Sequence, residues 1–248
     1  MSRIAMAVAA HPDDIEFMMF GTLLRLKQAG WEIHYLNIGT GNQGTDSLPS
    51  EEIARVRRGE AQDACQLAGA VFHDSLIDDL EIFYDRGLLA RVAAVMREVA
   101  PEIVLTHHPL DYMEDHTITA RLAVTAAFTR GMVNYETDPP QPTTSQPVAL
   151  YHAMPYGLRD NIRRDVTPDF CVDISSVIDR KIDLLACHKS QKEWLDVSQG
   201  HDAYLEILRD MSAGVGQKYG DCAFAEGWIR HLHLGLAEES FDPLQEAL

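Results

Sequence analysis

The stretch that decides the fold is Ile4-Ala5-Met6-Ala7-Val8-Ala9-Ala10-His11-Pro12-Asp13-Asp14-Ile15-Glu16. A run of small or branched apolar residues bounded by a proline predicts a buried central strand, because a strand covered on both faces is apolar throughout. From Glu16 the apolar side chains follow a helical period as far as Gly30, a residue that often ends helices in a left-handed conformation. Residues 11–14 are therefore expected at the carboxyl end of a first strand, where open α/β sheets hold ligands.

The polar residues at this strand end have the chemistry of a metal site. His11 and Asp14 are three residues apart on a turn stiffened by Pro12, so an imidazole and a carboxylate can converge on a cation such as zinc. Asp13 would then be free to act as a base. The alternative is that Asp13 and Asp14 only cap the following helix and that His11 is a polar strand end.

Composition and charge narrow the class of protein. The 248 residues suffice for one large α/β domain or two small ones, and 46% hydrophobic with 24% charged residues is typical of a soluble globular protein. The formal net charge of −17 argues against nucleic acid or an anionic membrane surface as the partner. No apolar run approaches the ~20 residues that span a bilayer, and no cleavage site follows the first residues, so we expect a cytoplasmic protein. The scattered cysteines favour reduced thiols over disulfides or a thiolate zinc site.

Strand and helix patterns alternate along the first half of the chain. Residues 31–38 and 103–107 predict strands, whereas residues 50–68 and 85–100 predict helices. Such alternation implies right-handed crossovers and a parallel sheet. Further strands are predicted at 148–153 and 170–174, and further helices at 177–187 and from His201 to about residue 211. The sequence thus predicts a Rossmann-like, mostly parallel sheet sandwiched by helices, with a C-terminal extension of short strands and helices.

A glycine-rich segment, Gly39-Thr40-Gly41-Asn42-Gln43-Gly44, follows the second predicted strand. It has the formal spacing of a dinucleotide fingerprint, but that fingerprint should follow the first strand and open directly into a helix. Residues 46–50 intervene before the next helix begins. We therefore interpret the segment as a flexible loop beside the first motif, with a nucleotide site as the alternative.

A second polar cluster, residues 107–116, follows the strand that ends at His107. A helix predicted from Thr117 places His116 at its first turn. Because the carboxyl ends of parallel strands open on one side of a sheet, His116 is expected near the first motif. Together with His11 and Asp14 it makes two imidazoles and one carboxylate, which leaves a fourth position for water, as in catalytic zinc sites. His231 and His233 alternate as on a strand, and a surface or core role is expected for them.

Five motifs in chain order together resemble the PIG-L/LmbE-like zinc-dependent N-deacetylases, which remove acetyl from N-acetylglucosaminyl compounds or related amides. They are Ala10-His11-Pro12-Asp13-Asp14, the glycine loop 39–44, Arg57-x-x-Glu60 followed by Leu67-x-Gly69, Asp115-His116, and His188-x-Ser190-Gln191. The resemblance covers most of the chain and implies a single domain over residues 1–248, acting on a small N-acyl amine with Zn²⁺ or another divalent cation.

The resemblance also implies roles for single residues. His11, Asp14 and His116 correspond to the zinc ligands, Asp13 to the general base, and Arg57 to a position that can contact substrate. Asp115, directly before a ligand, is expected to orient Asp13 or a ligand imidazole from behind. The alternative for Asp115 is an N-cap of the helix predicted from Thr117.

One departure from the family pattern concerns the second motif. The family commonly has His-Pro-Asp-His, and this chain has Met113-Glu114-Asp115-His116, so a thioether replaces a hydrogen-bond donor for the oxyanion. His108 and Tyr112 are the candidates to contact substrate in its place. Two other functions stay open: a non-catalytic metal- or sugar-binding homologue, and a nucleotide-binding oxidoreductase that uses residues 39–44. The oligomeric state is also open, a homo-oligomer included.

Overall fold

A computed structural model describes residues 3–199 and 203–248. Its strands form one sheet in the order β3-β2-β1-β4-β5-β7-β6. From β3 to β5 all neighbours are parallel, whereas β7 runs antiparallel to both β5 and β6. The strands are β1 (Ile4–Ala9), β2 (Glu32–Asn37), β3 (Val71–His73), β4 (Ile103–Thr106), β5 (Ala149–Ala153), β6 (Phe170–Asp173) and β7 (Ala225–Arg230). The prediction of a mostly parallel α/β sheet is confirmed.

Helices cover both faces of this sheet. They are α1 (Asp14–Met18), α2 (Phe20–Gln28), α3 (Ser50–Ala68), α4 (Arg86–Val99), α5 (Glu114–Thr129), α6 (Ile178–Leu185), α7 (Lys189–Gln199), α8 (Ala203–Val215) and α9 (Pro243–Ala247). The predicted start of a helix at His201 lies outside the described residues. In the described part of the chain, no helix is both long and apolar enough to cross a membrane.

The apolar run of β1 belongs to two cores at once. Ala5, Ala7 and Ala9 face one apolar cluster together with α2, α6 and Trp228. Met6 and Val8 face a second cluster with α4 and α5 on the other side of the sheet. Because alternate side chains of a strand point to opposite faces, a strand packed on both sides must be apolar at every position. This explains why β1 shows no alternation in the sequence.

The first predicted helix is in fact two helices, with the break at Met19. The backbone N–H groups of Gly21 and Thr22, at the start of α2, donate to the two carboxylate oxygens of Glu226 at 2.8 and 2.7 Å. Glu226 itself pairs with Lys181 at 2.7 Å. A buried carboxylate from β7 thus satisfies the first N–H groups of a new helix, which the apolar period of residues 16–30 could not reveal.

Two further boundaries differ from the predictions in ways that affect the site. Helix α5 begins at Glu114 rather than Thr117, so Asp115 lies inside its first turn and is not an N-cap. The polar stretch after His188 forms α7, which the sequence pattern did not predict. His231 and His233 follow the end of β7, and His231 Nδ1 lies 3.0 Å from Nε2 of His152, whose Nδ1 lies 2.7 Å from the backbone carbonyl of His107.

Candidate metal centre

The turn after β1 is built to present both of its carboxylates. Asp13 occupies the N-cap position of α1 with a left-handed backbone (φ 110°), but its side chain makes no capping hydrogen bond. Asp14 Oδ2 instead accepts from the backbone N–H of His11 at 2.7 Å, which closes the turn around Pro12. The interpretation of these residues as simple helix caps is therefore wrong for Asp13, whose carboxylate faces the neighbouring cavity.

His11, Asp14 and His116 converge on one point at the carboxyl edge of the sheet. His11 Nδ1 lies 3.4 Å from Asp14 Oδ2, and His116 Nε2 lies 3.4 Å from Asp14 Oδ1. One donor atom from each of the three residues lies within 4.8 Å of the others. Because β1 and β4 are adjacent parallel strands, the two motifs meet in space although about a hundred residues separate them.

A carboxylate holds the far nitrogen of each of these imidazoles. His11 Nε2 lies 2.9 Å from Asp115 Oδ2, and His116 Nδ1 lies 3.0 Å from Asp111 Oδ1. Asp115 is fixed in turn by the backbone N–H of Leu80 at 2.8 Å. Metal-ligating histidines characteristically donate their other N–H to such a partner, which sets the tautomer and the ring orientation. The residues therefore fit a divalent cation with nitrogen and oxygen ligands.

A second possible set, His107 with Asp111 and His116, fits a metal less well. His107 stacks on His116 with ring centroids 4.0 Å apart. Its Nε2 already accepts the backbone N–H of Ala10 at 2.9 Å, so that nitrogen is engaged within the protein. We therefore interpret His107 as packing support for the His116 ring.

The surroundings of the three converging groups favour protonated, positively charged imidazoles at His11 and His116 and an ionised carboxylate at Asp14. Burial lowers the pKa of His11, but its bonds to Asp115 and Asp14 outweigh that effect and raise this pKa to about 9. Burial also lowers the pKa of His116, but the carboxylates of Asp14 and Asp111 outweigh that effect and raise this pKa to about 10. Although burial raises the pKa of Asp14, the imidazoles of His116 and His107 bring it well below its usual value. Because metal ligands must be deprotonated, a bound cation would replace these imidazole protons.

Asp13 lies in a different environment from Asp14. Its Oδ1 is 3.3 Å from Arg57 Nη2, and its Oδ2 accepts the hydroxyl of Tyr204 at 2.6 Å. Burial raises the pKa of the Asp13 carboxyl and outweighs the opposing effects of Arg57 and Tyr204. A carboxylate with a raised pKa beside a candidate metal site suits proton transfer near neutral pH.

A cavity of about 530 Å³ opens next to these groups. Seven of the eight candidate site residues from the sequence line it: His11, Asp13, Asp14, Arg57, Tyr112, Asp115 and His116. Met113 also lines it, whereas His108 is not among its described lining residues and accepts the backbone N–H of Leu110 through Nδ1. The structure thus gives His108 no contact with this cavity.

The glycine loop after β2 surrounds Arg57. A Cβ at Gly41 would lie 2.7 Å from Arg57 Cδ, and one at Gly44 would lie 2.4 Å from Arg57 Nη1. The guanidinium donates to the carbonyl of Pro12 and to that of Gly41. Asp79 accepts the backbone N–H of Gly41 at 2.7 Å. These contacts fill the loop from within, so the geometry does not support the nucleotide-site alternative.

Three residues of the site escaped the sequence analysis. Asp111 stood inside the second polar cluster, but only the structure shows that it reaches His116. Tyr204 lies on α8 among ordinary amphipathic residues, and no local motif marks it. Gln191 was quoted as part of a motif without a role, yet it lines the cavity and its buried Oε1 has no hydrogen-bond partner.

Comparison with known families agrees with this geometry. Residues 6–127 match the sequence model of the family described as PIG-L: GlcNAc-PI de-N-acetylase. That range begins within β1 and ends within α5, and it contains every residue of the converging His–Asp–His set.

Curated relatives have more than one activity. A 4-oxalmesaconate hydratase of Pseudomonas putida is 28% identical over 77% of this chain and 74% of its own length. A diacetylchitobiose deacetylase of Thermococcus kodakarensis is 26% identical over 75% of this chain and 69% of its own. A probable N-acetyl-alpha-D-glucosaminyl L-malate deacetylase 2 of Bacillus cereus is 28% identical over 78% of this chain and 86% of its own.

Solved structures share the fold over almost the whole chain. An N,N'-diacetylchitobiose deacetylase from Pyrococcus horikoshii superposes with a TM-score of 0.76 at 24% identity, covering 98% of this chain and 89% of that one. The 4-carboxy-2-hydroxymuconate hydratase of Pseudomonas putida gives 0.74 at 23% identity, covering 93% and 96%. At these identities the similarity establishes the fold.

Proposed function

Since residues 6–127 form a PIG-L family domain, we propose that the protein is a zinc-dependent N-deacetylase. It would remove the acetyl or a related acyl group from an N-acetylglucosaminyl or similar N-acyl amine. Two deacetylases among the curated relatives, one named for diacetylchitobiose and one for an N-acetylglucosaminyl malate, support this reaction class.

The observation that carries the proposal is the pair of carboxylate-supported imidazoles around Asp14. His11 and His116 each keep one nitrogen on an outer aspartate and turn the other toward the Asp14 carboxylate. Three protein ligands on one side of an open cavity are the arrangement of a catalytic rather than a structural zinc site. Bound zinc would lower the pKa of a water molecule and polarise the acyl oxygen.

Asp13 is the base in this proposal. Its carboxylate lines the cavity next to the three proposed ligands and is held from two sides by Arg57 and Tyr204. In the first step Asp13 takes a proton from the attacking water, and in the second it gives that proton to the departing amine. Arg57 serves this step by holding the Asp13 carboxylate and the Pro12 carbonyl.

Tyr112 is the proposed donor to the acyl oxygen, in place of the histidine that the family has where this chain has Met113. Its ring meets the His116 ring edge-on, with centroids 5.6 Å apart, and the side chain is 59% exposed at the cavity. A phenol can donate a hydrogen bond to a developing oxyanion, which the thioether of Met113 cannot.

The test is acetate release from a panel of N-acetylglucosamine conjugates by metal-free protein and by protein loaded with zinc, iron or cobalt. We expect turnover that appears on metal addition and disappears with a chelator. 4-Oxalmesaconate serves as the comparison substrate, because a relative is a hydratase. Conversion of that compound, with no acetate released from any amide, would contradict the deacetylase.

A further inference from the structure

We propose that the substrate is a neutral N-acyl amine with an aromatic or alkyl substituent, which binds against a wall contributed by α7 and α8. This inference rests on the proposed amide hydrolysis, because it concerns the same cavity. The inference narrows the proposed substrates to neutral compounds, because it excludes conjugates that carry a carboxylate or phosphate beside the amide.

The first argument is charge. Asp13, Asp14, Asp79 and Asp115 all line the cavity. Among its described lining residues, Arg57 is the one lysine or arginine; it is 3% exposed and already bound to Asp13 and to backbone carbonyls. Four carboxylates against Arg57 and a bound divalent cation still leave the described lining net negative. Away from the metal centre, the described lining offers no free side-chain cation to pair with an anionic substituent, and juxtaposed like charges disfavour binding.

The second argument is the apolar lining. Trp194 of α7 and Ile207 of α8 both line the cavity. Phe17 also lines the cavity and stacks on Tyr204, with ring centroids 5.8 Å apart; its ring centroid lies 5.8 Å from that of Tyr156 as well. Flat and branched apolar side chains at one cavity surface bind an aromatic or alkyl group by removing it from water.

A row of aromatic rings extends from Tyr204, which bonds Asp13, to His116, a proposed metal ligand. Tyr156 lies 6.1 Å from Tyr112, whose ring meets His116 edge-on at 5.6 Å. The mouth is apolar as well: Leu80 is 64% exposed, Tyr112 59% and Tyr156 41%, although all three line the cavity. Exposed apolar side chains grouped at the rim of a cleft mark a ligand surface rather than ordinary protein exterior.

The third argument is the kind of polar group that is left for a ligand. Gln191 is 6% exposed, lines the cavity, and has a side-chain oxygen with no hydrogen-bond partner. Buried polar groups are normally satisfied, so an unpaired carboxamide oxygen at a cavity suits a neutral donor such as an amide N–H or a hydroxyl. A carboxylate or phosphate would not supply that donor.

A matched pair of substrates tests the inference. The 4-nitrophenyl and 4-carboxyphenyl glycosides of N-acetylglucosamine have nearly the same shape and differ by one negative charge, and the methyl glycoside is the reference. With metal-loaded protein at low ionic strength, we expect kcat/KM for the nitrophenyl compound to exceed that for the carboxyphenyl compound about tenfold or more. The ratio should shrink as added salt screens the charges. Equal or faster turnover of the carboxyphenyl compound would overturn the inference.

Two variants separate charge from shape. Leu80→Lys places a cation at the cavity mouth and should raise kcat/KM for the carboxyphenyl glycoside several-fold. Leu232→Lys makes the same change at a residue of almost equal exposure, 63%, that does not line the cavity, and should leave that value unchanged. Trp194→Ala should lower the preference for the nitrophenyl over the methyl glycoside about tenfold. A preference that survives Trp194→Ala in full would place the substituent elsewhere.

Binding measurements distinguish failure of the inference from failure of the proposed reaction. If metal-loaded protein hydrolyses none of the glycosides, the deacetylase proposal fails, and isothermal titration of the nitrophenyl and carboxyphenyl compounds then decides. Tighter binding of the nitrophenyl compound supports the neutral, apolar ligand class. Equal binding, tighter binding of the carboxyphenyl compound, or no binding of either overturns it.

Discussion

The cavity has two sides of opposite construction. On one side, the turns after β1 and β4 supply buried charged groups, each held by a defined hydrogen bond, as Asp115 holds His11 and Asp111 holds His116. On the other, α7 and α8 supply mainly apolar side chains such as Trp194 and Ile207, with Gln191 as a buried polar group whose side-chain oxygen has no partner. The family match covers residues 6–127 and so includes only the first side. From this difference we propose that the first side carries the reaction chemistry and the second side selects the substrate.

The largest effect on the polar side is expected when a proposed metal ligand is removed. His11→Ala or Asp14→Ala should abolish bound metal and lower turnover about 10³-fold or more, because the metal supplies several kcal/mol of transition-state stabilisation. Elemental analysis and acetate release measure the two effects. His73→Ala, which changes a histidine that contacts His34 instead, is the control. Full metal content in both ligand variants would refute the assigned centre.

Replacement of the base should separate metal binding from chemistry on the polar side. Asp13→Asn should retain the metal and lower kcat about 10²- to 10⁴-fold, because a carboxamide cannot accept the water's proton. Asparagine tolerates the positive φ at this position, so the turn should persist. Metal content and kcat are measured on the same preparation. A variant as fast as its parent would show that another group is the base.

Tyr112 lies where the two sides of the cavity meet. Removal of its hydroxyl tests whether a residue at the cavity mouth stabilises the transition state. Tyr112→Phe should lower kcat by up to about 10²- to 10³-fold with little change in KM, since the lost hydrogen bond forms with the transition state. Tyr84→Phe is the control, because its hydroxyl donates to Thr125. A rise in KM at constant kcat would instead make Tyr112 a substrate-binding residue alone.

The outer aspartates should matter less than the ligands they hold. Asp111→Asn or Asp115→Asn should weaken metal affinity about 10- to 100-fold, because the amide holds the imidazole less firmly and no longer favours its donor tautomer. Competition with a chromophoric chelator measures the affinity. Asp165→Asn, which alters an exposed pair with Arg159, is the matched control. Unchanged affinity in both variants would remove the proposed support.

The smallest effect is expected from the hydrogen bond between Tyr204 of α8 and Asp13 on the polar side. The Tyr204 hydroxyl bonds the ionised Asp13 carboxylate and so lowers its pKa. Tyr204→Phe removes that bond, so the pKa of Asp13 should rise and the acid limb of the kcat/KM profile should move upward by about one pH unit or less. The rate on the plateau should change only a few-fold. A shift toward lower pH would contradict this role.

The parts of the molecule that sequence could predict are those fixed by nearby residues. The apolar run of β1, the alternation of strand and helix, and the motifs at the ends of β1 and β4 all depend on short-range patterns. Adjacent parallel strands then bring His11, Asp14 and His116 together, as expected. The assigned roles of these residues await the experiments above.

The parts that sequence did not predict depend on distant partners. The break at Met19 needs Glu226 from the last strand, and the role of Asp115 depends on a helix that begins three residues earlier than expected. Tyr204 of α8 bonds Asp13 across a sequence separation of 191 residues. Such contacts leave no periodic signal, so apolar spacing alone could not reveal them.

The glycine loop after β2 has the glycine spacing of a phosphate-binding segment, but it packs around the guanidinium of Arg57. The Arg57 guanidinium fills the space at Gly41 and Gly44 that an external anion would need, and it holds the Pro12 carbonyl and the Asp13 carboxylate. A methyl group added at either glycine would have to push the guanidinium aside. The proposed proton transfer by Asp13 would then suffer although no residue of the turn after β1 had been changed, so this loop indirectly sets the alignment of that turn.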